Sequence, residues 1–560
     1  MLVAHSLAEV RPLLDAVQTA AAQGSWCVGY VRYEAAPAFD AALAVHSADG
    51  PLAWFAVHDA ALPWPEDDST ATAQANWLDT CPRPDFDVAM AQVQQAIAAG
   101  ELYQVNFTAP LSGLWGGEAP ADAPLALFTA LQRAQPGGYA AFIDTGEADG
   151  QLLSVSPELF FDWQDSALLA RPMKGTAVRG ATPQADASQA ETLRASPKER
   201  AENVMIVDLL RNDISRIAQP FSVNVPVLFH TEALPSVWQM TSDVRARTRA
   251  GTSLADVFGA LFPCGSVTGA PKVRAMQMIR KLEAGPRGVY CGALGVVRPD
   301  ASAQGFRATF NVPIRTVAVR GGALRCGIGS GITADAQPDA EWQEWLNKRK
   351  FLDRASQPFN LLETLALDNG QLRHAPAHLQ RLALAAAHFG YPCHADGTQQ
   401  ALHRLAQAHP QGQWRVRLLQ SVQGPARAEA FAMDASPAVV RLQLAAQPLQ
   451  EAQGEFVRFK TTRRAHYDAF APTGPGVFDT VLYNTQGEIT ECTRGNVAML
   501  VAGCWVTPPL ACGLLPGVGR ALALHEGRLT EAVVHLDDLP GVRGWAFLNS
   551  LRGWLGAEMV

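Results

Sequence analysis

The sequence lacks any pairing of its cysteines. Nine cysteines are scattered singly over 560 residues, with no Cys-x-x-Cys pair and no Cys/His spacing of the zinc type. An odd number of isolated cysteines in so long a chain argues against a disulfide framework and against a structural zinc ion. Reduced thiols buried in a cytoplasmic protein are the expected state.

A basic excess and a long apolar run are also missing. The formal net charge is −8, which argues against a general nucleic-acid-binding protein. No stretch approaches the roughly 20 uninterrupted apolar residues of a membrane-spanning helix. The opening residues also lack the apolar core of a secretory signal. We therefore expect a soluble, cytoplasmic protein with no membrane contact.

The composition that remains is that of a globular protein, with 48% apolar and 18% charged residues. A chain of 560 residues is too long for one ordinary core, so several domains are expected. We predict an opening segment at 1–84, an α/β segment of alternating strands and helices at 85–355, and an α+β segment at 356–560. Gln357-Pro358 ends a charged helix at the last boundary.

Two pairs of glutamates have helical spacing. Glu199 and Glu202 are three residues apart, as are Glu341 and Glu344, and residues three apart share one face of a helix. Two such pairs on facing helices would offer oxygen ligands to a hard cation such as Mg²⁺. The alternative is two solvated helix faces, which are common on charged helices.

Two glycine-rich turns could offer backbone N–H groups to an anion. One reads Gly-Ser-Val-Thr-Gly-Ala-Pro-Lys at 265–272, and the other reads Cys-Gly-Ile-Gly-Ser-Gly-Ile at 326–332. Such turns can hold a carboxylate; the alternative is two tight turns without a ligand. The Gly-Lys spacing differs from that of a P-loop, which disfavours nucleotide binding.

In their order along the chain, these runs and several others resemble the chorismate-utilising enzymes. That family includes anthranilate synthase component I, aminodeoxychorismate synthase component I, and the isochorismate and salicylate synthases. The matching runs are 103–106, 156–158, 171–176, 201–203, 208–213, 265–272, 287–292, 314–316 and 341–348. The resemblance implies an anthranilate-synthase-component-I-like fold, a sheet sandwich with surrounding helices, which residues 1–84 would complete.

The resemblance also implies how chorismate is held. Mg²⁺ would lie between Glu202 and Glu344, with Glu341 and Glu199 ligating it or holding its waters, and would clamp the ring carboxylate. The other residues expected to bind the substrate are Arg315, Tyr290, Thr268, Gly329, Gly331 and Lys348.

Lys174 indicates which of this family's reactions to expect. Anthranilate synthases resemble Pro-Ile-Ala-Gly-Thr at this run and aminodeoxychorismate synthases resemble Pro-Ile-Lys-Gly-Thr, whereas this chain reads Pro-Met-Lys-Gly-Thr. A neutral lysine amine can attack C2 of chorismate and expel the C4 hydroxyl, after which ammonia enters at C4 and expels the lysine. Glu158 would protonate the leaving hydroxyl. The alternative is a lysine that only binds an anion.

The chain departs from the family pattern at Gln239. Several relatives carry histidine there, in a His-Leu-x-Ser run, and a glutamine forms hydrogen bonds but transfers no proton at neutral pH. The Gly-x-Cys-x-Gly run of glutamine amidotransferases is also missing from this sequence. The resemblance therefore implies a separate glutaminase subunit as the source of ammonia.

The last segment resembles the class IV pyridoxal-phosphate (PLP) enzymes, which include aminotransferases and aminodeoxychorismate lyase, and which have two lobes. The matching runs are 378–382, 458–467, 488–496, 514–520 and 549–553. By that resemblance Lys460 binds PLP and moves the substrate proton, while Glu491 pairs with the pyridine nitrogen. Arg381 and turn amides that include those of Gly517 and Val518 would hold the phosphate.

Together the two resemblances predict an enzyme with two consecutive steps. It would aminate chorismate to 4-amino-4-deoxychorismate and then eliminate pyruvate to give 4-aminobenzoate, a folate precursor. The alternatives are an anthranilate-type synthase, a C-terminal aminotransferase of another substrate, an inactive C-terminal domain, and a scaffold that only carries a glutaminase.

Overall fold

The computed structural model describes residues 1–64, 73–117, 120–146, 150–180, 183–234, 237–301, 304–392 and 394–560. They divide into two compact units, Met1–Pro358 and Phe359–Val560. The eight cysteines among the described residues are free thiols, and Cys393 lies outside those residues. No helix in the described ranges is both long enough and apolar enough to cross a membrane.

The first unit alternates strands with helices. Its strands are β1 (Leu2–Ala4), β2 (Trp26–Val31), β3 (Ala53–His58), β4 (Ala75–Asp79), β5 (Gln104–Trp115), β6 (Tyr139–Asp144), β7 (Gln151–Ser156), β8 (Leu159–Gln164), β9 (Ala167–Arg171), β10 (Met173–Val178), β11 (Asn224–Ala233), β12 (Val237–Arg247), β13 (Gly269–Ala270), β14 (Ala293–Pro299), β15 (Phe306–Asn311), β16 (Thr316–Arg320) and β17 (Ala323–Ile332). Its helices are α1 (Leu7–Ala22), α2 (Arg83–Ala98), α3 (Ala123–Ala134), α4 (Pro183–Ala195), α5 (Pro197–Ser215), α6 (Leu254–Leu261), α7 (Lys272–Leu282) and α8 (Pro338–Ser356).

One antiparallel sheet gathers strands from both ends of this unit. Within the described residues its order is β1-β3-β2-β14-β15-β8-β9-β12-β10, with β11 beside β12. β2 pairs with β14, where Tyr30 lies opposite Leu294. The opening segment is therefore built into the same sheet as the strands that follow it.

The second sheet packs face to face against the first. Its order in the described residues is β13-β5-β17-β16-β7-β6, with β4 beside β5. Tyr30 and Trp54 of the first sheet meet Ile143 and Leu152 of the second in one buried layer. Successive strand residues point to opposite faces, so the neighbouring positions pack outward, against α1, α5 and α6 on the first sheet and against α2, α3 and α8 on the second. The predicted sandwich with surrounding helices is confirmed.

The second unit has two lobes, as predicted. Its strands are β18 (Leu361–Asp368), β19 (Gln371–Leu372), β20 (Gln413–Gln420), β21 (Arg427–Ala432), β22 (Val439–Leu444), β23 (Asp479–Tyr483), β24 (Ile489–Cys492), β25 (Asn496–Val501), β26 (Cys504–Thr507), β27 (Thr530–Glu531), β28 (Gly544–Asn549) and β29 (Gly553–Met559). Its helices are α9 (Ala375–Phe389), α10 (Ala395–Ala408), α11 (Glu455–Arg458) and α12 (Val518–His525). In the described residues one sheet runs β19-β18-β20-β21 and the other runs β24-β23-β22-β29-β28-β25-β26-β27. Each sheet has its own apolar core.

Local sequence explains where the helices that carry site residues begin and end. Ser196 precedes α5, its side chain accepts a hydrogen bond from the Glu199 N–H, and Pro197 is the first helical residue. Gly390 caps the C-terminal end of α9 with a φ of +67°, a conformation that favours glycine. These caps fix the position of the side chains one turn inside each helix.

Candidate active sites

Lys174 lies at an irregular point of β10. The pairing of β10 with β12 shifts register between Met173 and Thr176, and such a shift re-aims the side chains between them. Gly175 has φ +89°, and a Cβ there would stand 2.8 Å from Glu199 Oε2. Glycine therefore allows α5 to pack onto β10, which brings Glu199 beside Lys174.

The Lys174 amine reaches from the first sheet to the second. A Cβ on Gly331, in β17, would lie 3.0 Å from Lys174 Nζ and would collide with Gln104 Nε2. Gln104, in β5, is 1% exposed, and within the described residues neither polar atom of its side chain has a hydrogen-bond partner. The amine therefore lies in a polar place between the sheets, at one of the glycines predicted to bind substrate.

Four glutamates form one electrostatic cluster, and the charge of Lys174 acts on three of them, Glu199, Glu202 and Glu344. Glu199 and Glu202 project from α5, and Glu341 and Glu344 from α8. Burial raises the pKa of Glu199, Glu202 and Glu341, and the negative charge of Glu344 raises each of them further. Lys174 acts in the opposite direction on Glu199 and Glu202. This coupling shows that α5 and α8 face one another.

Two further lysines neutralise part of this charge. Lys348 Nζ lies 2.6 Å from Glu344 Oε1 and donates to the Gly329 carbonyl oxygen at 2.8 Å, while Lys198 Nζ lies 3.7 Å from Glu341 Oε1. Burial opposes the ionisation of Glu344, but Lys348 and the other ammonium groups outweigh it and lower its pKa. In the part of the chain that the structure describes, no three His, Cys, Asp or Glu side chains are close enough to hold a metal ion. The metal-binding role of the glutamates stays a prediction.

Glu158 is a buried acid beside Lys174. It lies between β7 and β8, is 3% exposed, and its Oε1 accepts a hydrogen bond from Ser266 Oγ at 2.6 Å. Burial raises its pKa to about 7, although the Ser266 hydroxyl and the Lys174 and Lys348 ammonium groups lower it. A carboxyl group with that pKa can give and take a proton near neutral pH.

Three of the residues predicted to bind substrate have different surroundings. Burial lowers the pKa of Arg315 to about 10, and its Nη1 has no hydrogen-bond partner among the described residues. The Tyr290 ring packs directly on Gly327, where a Cβ would collide with it. The Thr268 hydroxyl donates to the Cys264 carbonyl at 3.1 Å, within its own turn. Arg315 alone among these three offers an unpaired donor, and their contact with a substrate stays a prediction.

Sequence reasoning overlooked several polar groups near Lys174. Ser266 and Gln104 lie inside matching runs, and that position was the available signal. Gln239, which the sequence had already marked as a departure from the family pattern, is 3% exposed, lies opposite Thr176 in the β10–β12 pairing, and its Oε1 has no partner in the described residues. Asn203 Nδ2 is also unpaired there, although its Oδ1 accepts from Ser242. Buried amide atoms without a protein partner can bind an ordered water or a polar ligand.

A cavity of about 430 Å³ in the second unit brings together the residues predicted to bind PLP. Lys460 lies in its wall, where burial and the guanidinium groups of Arg464 and Arg381 lower the pKa of the lysine to about 8. Burial raises the pKa of Glu491 to about 7, although Tyr467 Oη, at 2.7 Å, and the Leu515 N–H, at 3.0 Å, both donate to its carboxylate.

Arg381 makes three hydrogen bonds at one end of this cavity. Its Nε and Nη2 donate to the Glu363 carboxylate at 2.8 and 2.7 Å, and its Nη1 donates to the Pro516 carbonyl at 3.0 Å. Gly517 follows as the N-cap of α12 and packs so closely on Asn496 that a Cβ would collide with it. The first N–H groups of α12, beginning at Val518, therefore open into the same end of the cavity, and a helix N-terminus favours an anion.

Comparison with known proteins identifies the class to which this architecture belongs. Residues 57–354 match the family model described as chorismate binding enzyme, and residues 360–559 match the one described as amino-transferase class IV. The first match covers more than half of the chain. The chain belongs to the family of chorismate binding enzymes.

Individual relatives differ in their reactions. Aminodeoxychorismate synthase component 1 of Klebsiella aerogenes is 39% identical over 297 residues, which are 53% of this chain and 62% of the relative. An anthranilate synthase component 1 of Haloarcula marismortui is 36% identical over 284 residues, which are 50% of this chain and 54% of the relative. The chain thus spans less than two thirds of either relative.

A solved structure agrees with the fold of the first unit. The crystal structure of anthranilate synthase component I from Streptococcus pneumoniae TIGR4 matches with a TM-score of 0.52 and 24% identity, covering 60% of this chain and 85% of that one. At this identity the likeness shows the fold alone. The choice between the two reactions therefore depends on the site.

Proposed function

We propose that the first unit aminates chorismate at C4 to give 4-amino-4-deoxychorismate, with Lys174 as a covalent nucleophile. The observation that carries this proposal is a lysine amine whose charge acts on three carboxylates of the cluster and on Glu158, a buried acid with a pKa of about 7. Anthranilate synthases resemble Pro-Ile-Ala-Gly-Thr at this run, and alanine offers no nucleophile.

The carboxylate cluster suits Mg²⁺. Its ligands are oxygens, three of its pKa values are raised by burial and mutual repulsion, and Glu341 Oε2 has no hydrogen-bond partner in the described ranges. Hard divalent cations favour such ligands. Glu202 and Glu344 would hold the ion with Glu199 and Glu341 beside them, and the ion would neutralise the ring carboxylate of chorismate. The unpaired Arg315 donor would hold the second carboxylate.

The chemistry follows from the amine and the acid. Lys174 Nζ, as the neutral amine, forms a bond to C2 while both ring double bonds shift, from C1=C2 to C1=C6 and from C5=C6 to C4=C5, and the C4–O bond breaks. Glu158 gives its proton to the departing hydroxyl, which leaves as water. Ammonia then forms the C4–N bond, both double bonds shift back, and the C2–Nζ bond breaks. The proton that ammonia loses returns to Glu158, so the site is restored.

Product identity tests the first step. The full chain, incubated with chorismate, ammonium and Mg²⁺, is expected to form 4-amino-4-deoxychorismate, detected by chromatography against 2-aminobenzoate. If 2-aminobenzoate is the main product, the proposal is wrong and the chain is an anthranilate-type synthase. Absence of any turnover with ammonium would instead support the alternative that the chain is a scaffold that only carries a glutaminase.

The ammonia donor is a separate glutaminase subunit. We expect the purified chain to use ammonium salts but not glutamine, and to gain glutamine-dependent activity when a glutaminase is added. Turnover of glutamine by the purified chain alone would contradict this part of the proposal.

The second unit is a PLP-dependent lyase that eliminates pyruvate from the product of the first, which yields 4-aminobenzoate for folate synthesis. Bound in the cavity, PLP would stabilise the electron pair left when a substrate proton is removed. Lys460 would hold its aldehyde carbon and move that proton, with Glu491 at the pyridine nitrogen. Arg381 and the amides of Gly517 and Val518 would face the phosphate.

Cofactor and pyruvate test this second step. The full chain is expected to bind PLP with a visible absorption band that is lost in Lys460→Ala, and to release pyruvate from 4-amino-4-deoxychorismate. Lys460→Ala should instead accumulate that intermediate. If a band forms but an amino group is transferred to a keto acid with no pyruvate released, the unit is an aminotransferase of another substrate.

A further inference from the structure

A buried hydrogen-bonded chain leads away from the cavity of the second unit. Ser550 lies in the cavity wall, and its Oγ is 2.8 Å from His378 Nε2. His378 Nδ1 lies 2.6 Å from Glu363 Oε2. His378 is fully buried and Glu363 is 1% exposed. A serine at the cavity surface is therefore joined through one imidazole to a carboxylate in the core.

Ser550 lies at the end of the cavity where Arg381 and the start of α12 also lie. A Cβ on Gly519, in the first turn of α12, would stand 3.0 Å from the Ser550 backbone nitrogen. Arg381 donates to the Pro516 carbonyl just before that helix. A guanidinium, the N–H groups of a helix N-terminus and a hydroxyl thus share one small region, which suits a phosphate group.

Arg381 and Glu363 form a nearly neutral pair. Burial opposes the ionisation of Glu363, but the Arg381 guanidinium and the hydrogen bonds from Arg381 and His378 lower its pKa to about 2. Glu363 is therefore an anion that neutralises Arg381. A phosphate dianion that binds here is therefore attracted only weakly by the Arg381–Glu363 pair.

The imidazole of His378 decides what Ser550 can offer. Glu363 faces it from β18 and Ser550 from the segment after β28. Arg381 lies on its own helix, and His374 is the residue that precedes that helix. Because a carboxylate accepts at Nδ1, a neutral imidazole keeps its proton there and presents a lone pair at Nε2. The Ser550 hydroxyl must then donate inward, and only its oxygen lone pairs face the cavity, which disfavours an anion.

We propose that His378 takes up a proton when the phosphate group of the cofactor binds, and that this reverses the Ser550 hydrogen bond. Nε2–H then donates to Ser550 Oγ, whose own hydrogen is released to donate to a phosphate oxygen. The proton comes from solvent and returns there on dissociation. Ser550 and His378 act as positioning residues for the cofactor, and the relay rests on the proposed binding of PLP in this cavity.

Proton uptake by the full chain tests the relay. Pyridoxine 5′-phosphate is the probe, because it carries the phosphate but no aldehyde and cannot react with Lys460. At about pH 8 a phosphate monoester is a dianion. Calorimetry in two buffers of different ionisation enthalpy measures the number of protons taken up per ligand, and His378 should contribute close to one. That contribution should make the Kd rise about tenfold more for each pH unit than it does without His378, which is the slope for one linked proton.

His378→Gln keeps hydrogen-bonding groups but cannot take up the proton, so its proton uptake should be smaller than that of the wild type by close to one, and its Kd should rise about tenfold less for each pH unit. Lys460 and Glu491, whose pKa values are about 8 and about 7, contribute to the pH dependence of both proteins. His388→Gln is the matched control, because His388 lies on the same helix and also faces a carboxylate, with Nε2 3.0 Å from Glu455 Oε2. Its uptake and slope should equal those of the wild type. Ser550→Ala, at a partly exposed position, should show the same smaller dependence of Kd on pH. This second variant tests the relay if His378→Gln does not fold.

The possible outcomes separate the relay from the proposal on which it rests. Normal binding with the same proton uptake in wild type, His378→Gln and Ser550→Ala would overturn the relay alone, and the chain would be a purely structural contact. A wild type that binds neither pyridoxine 5′-phosphate nor PLP would overturn the proposed lyase together with the relay. Loss of affinity without loss of slope in the variants would also overturn the relay, because it would show only damaged packing.

Discussion

Each unit contains a lysine beside a buried glutamate, and the two lysines have opposite surroundings. Burial brings the pKa of both Glu158 and Glu491 to about 7. Lys460 faces the guanidinium groups of Arg464 and Arg381, and its pKa is lowered to about 8 by burial first and then by these charges. Lys174 instead faces the carboxylates of α5 and α8, among which are Glu199 and Glu202.

The comparison shows two ways of preparing an amine for chemistry. Fixed positive charges and burial favour the neutral form of Lys460 in the protein itself. The electrostatics around Lys174 depend on what neutralises the acidic cluster, which in the proposed function is Mg²⁺ together with the substrate. The first unit should therefore be sensitive to metal and substrate, and the second to its own arginines.

The largest expected effect separates the two lysines. Lys174→Ala should reduce C4 amination by more than about 10³-fold, because no nucleophile remains, while the PLP band of the second unit is unchanged. Lys174→Arg is the matched control, since it keeps a positive charge without a nucleophilic amine. Chromatography of the products measures both variants. Amination in Lys174→Arg at the wild-type rate would show that the lysine acts only as a charge.

The two buried acids should be separable in the same way. Glu158→Gln should reduce C4 amination by about 10² to 10⁴-fold, the range for loss of a general acid, because glutamine cannot protonate the leaving hydroxyl. Glu491→Gln, the equivalent change in the second unit, should leave amination unaltered and alter the PLP spectrum. Equal loss of amination in both variants would mean that global destabilisation, not acid catalysis, explains the result.

A smaller effect, whose direction can also be predicted, concerns the pH dependence of amination. Glu158 must be protonated to act as the acid, so the rate should fall as pH rises through its pKa of about 7. Ser266 donates to the Glu158 carboxylate at 2.6 Å and so lowers that pKa. Ser266→Ala should therefore raise the pKa and move the alkaline limb to higher pH. An unchanged limb, or a shift to lower pH, would argue against Glu158 as the titrating acid.

The smallest expected effect concerns the arginines of the second unit. Arg464 lowers the pKa of Lys460, so Arg464→Gln should raise it and reduce the fraction of neutral amine at neutral pH. Association of PLP, followed by absorbance, should slow by a few-fold and recover as the pH is raised. The control is Arg463→Gln, because that neighbour lies over the Phe456 ring, 4.5 Å from its centroid. Equal slowing in both variants would contradict the electrostatic explanation.

Sequence patterns were sufficient for the architecture of each unit. The sandwich with outer helices and the two lobes of the last segment were predicted, since short runs such as 171–176 and 458–467 keep their order and mark the fold. The spacing of the glutamate pairs also indicated that each pair would share a helix face, although it could not show that Lys348 and Lys198 would contact them.

Contacts between residues of different sequence runs could not be predicted. Ser266 and Glu158 are 108 residues apart, and Ser550 and His378 are 172 apart, yet both pairs form hydrogen bonds. Such contacts depend on how strands and turns from distant segments pack, which periodicity does not encode. The unpaired amide of Gln104 is a similar case, because its role depends on a glycine, Gly331, in a neighbouring strand.

The strand order of the first sheet has a consequence for synthesis of the chain. Among the described residues, β1 pairs with β3 and β3 with β2, and β14 (Ala293–Pro299) links these three strands to the rest of that sheet. More than half of the polypeptide must therefore leave the ribosome before β2 gains its partner β14, and until then the free edge of β2 remains open to association with other chains. A nascent chain stopped short of Ala293 should bind chaperones or aggregate, whereas one that includes β15 should resist proteolysis.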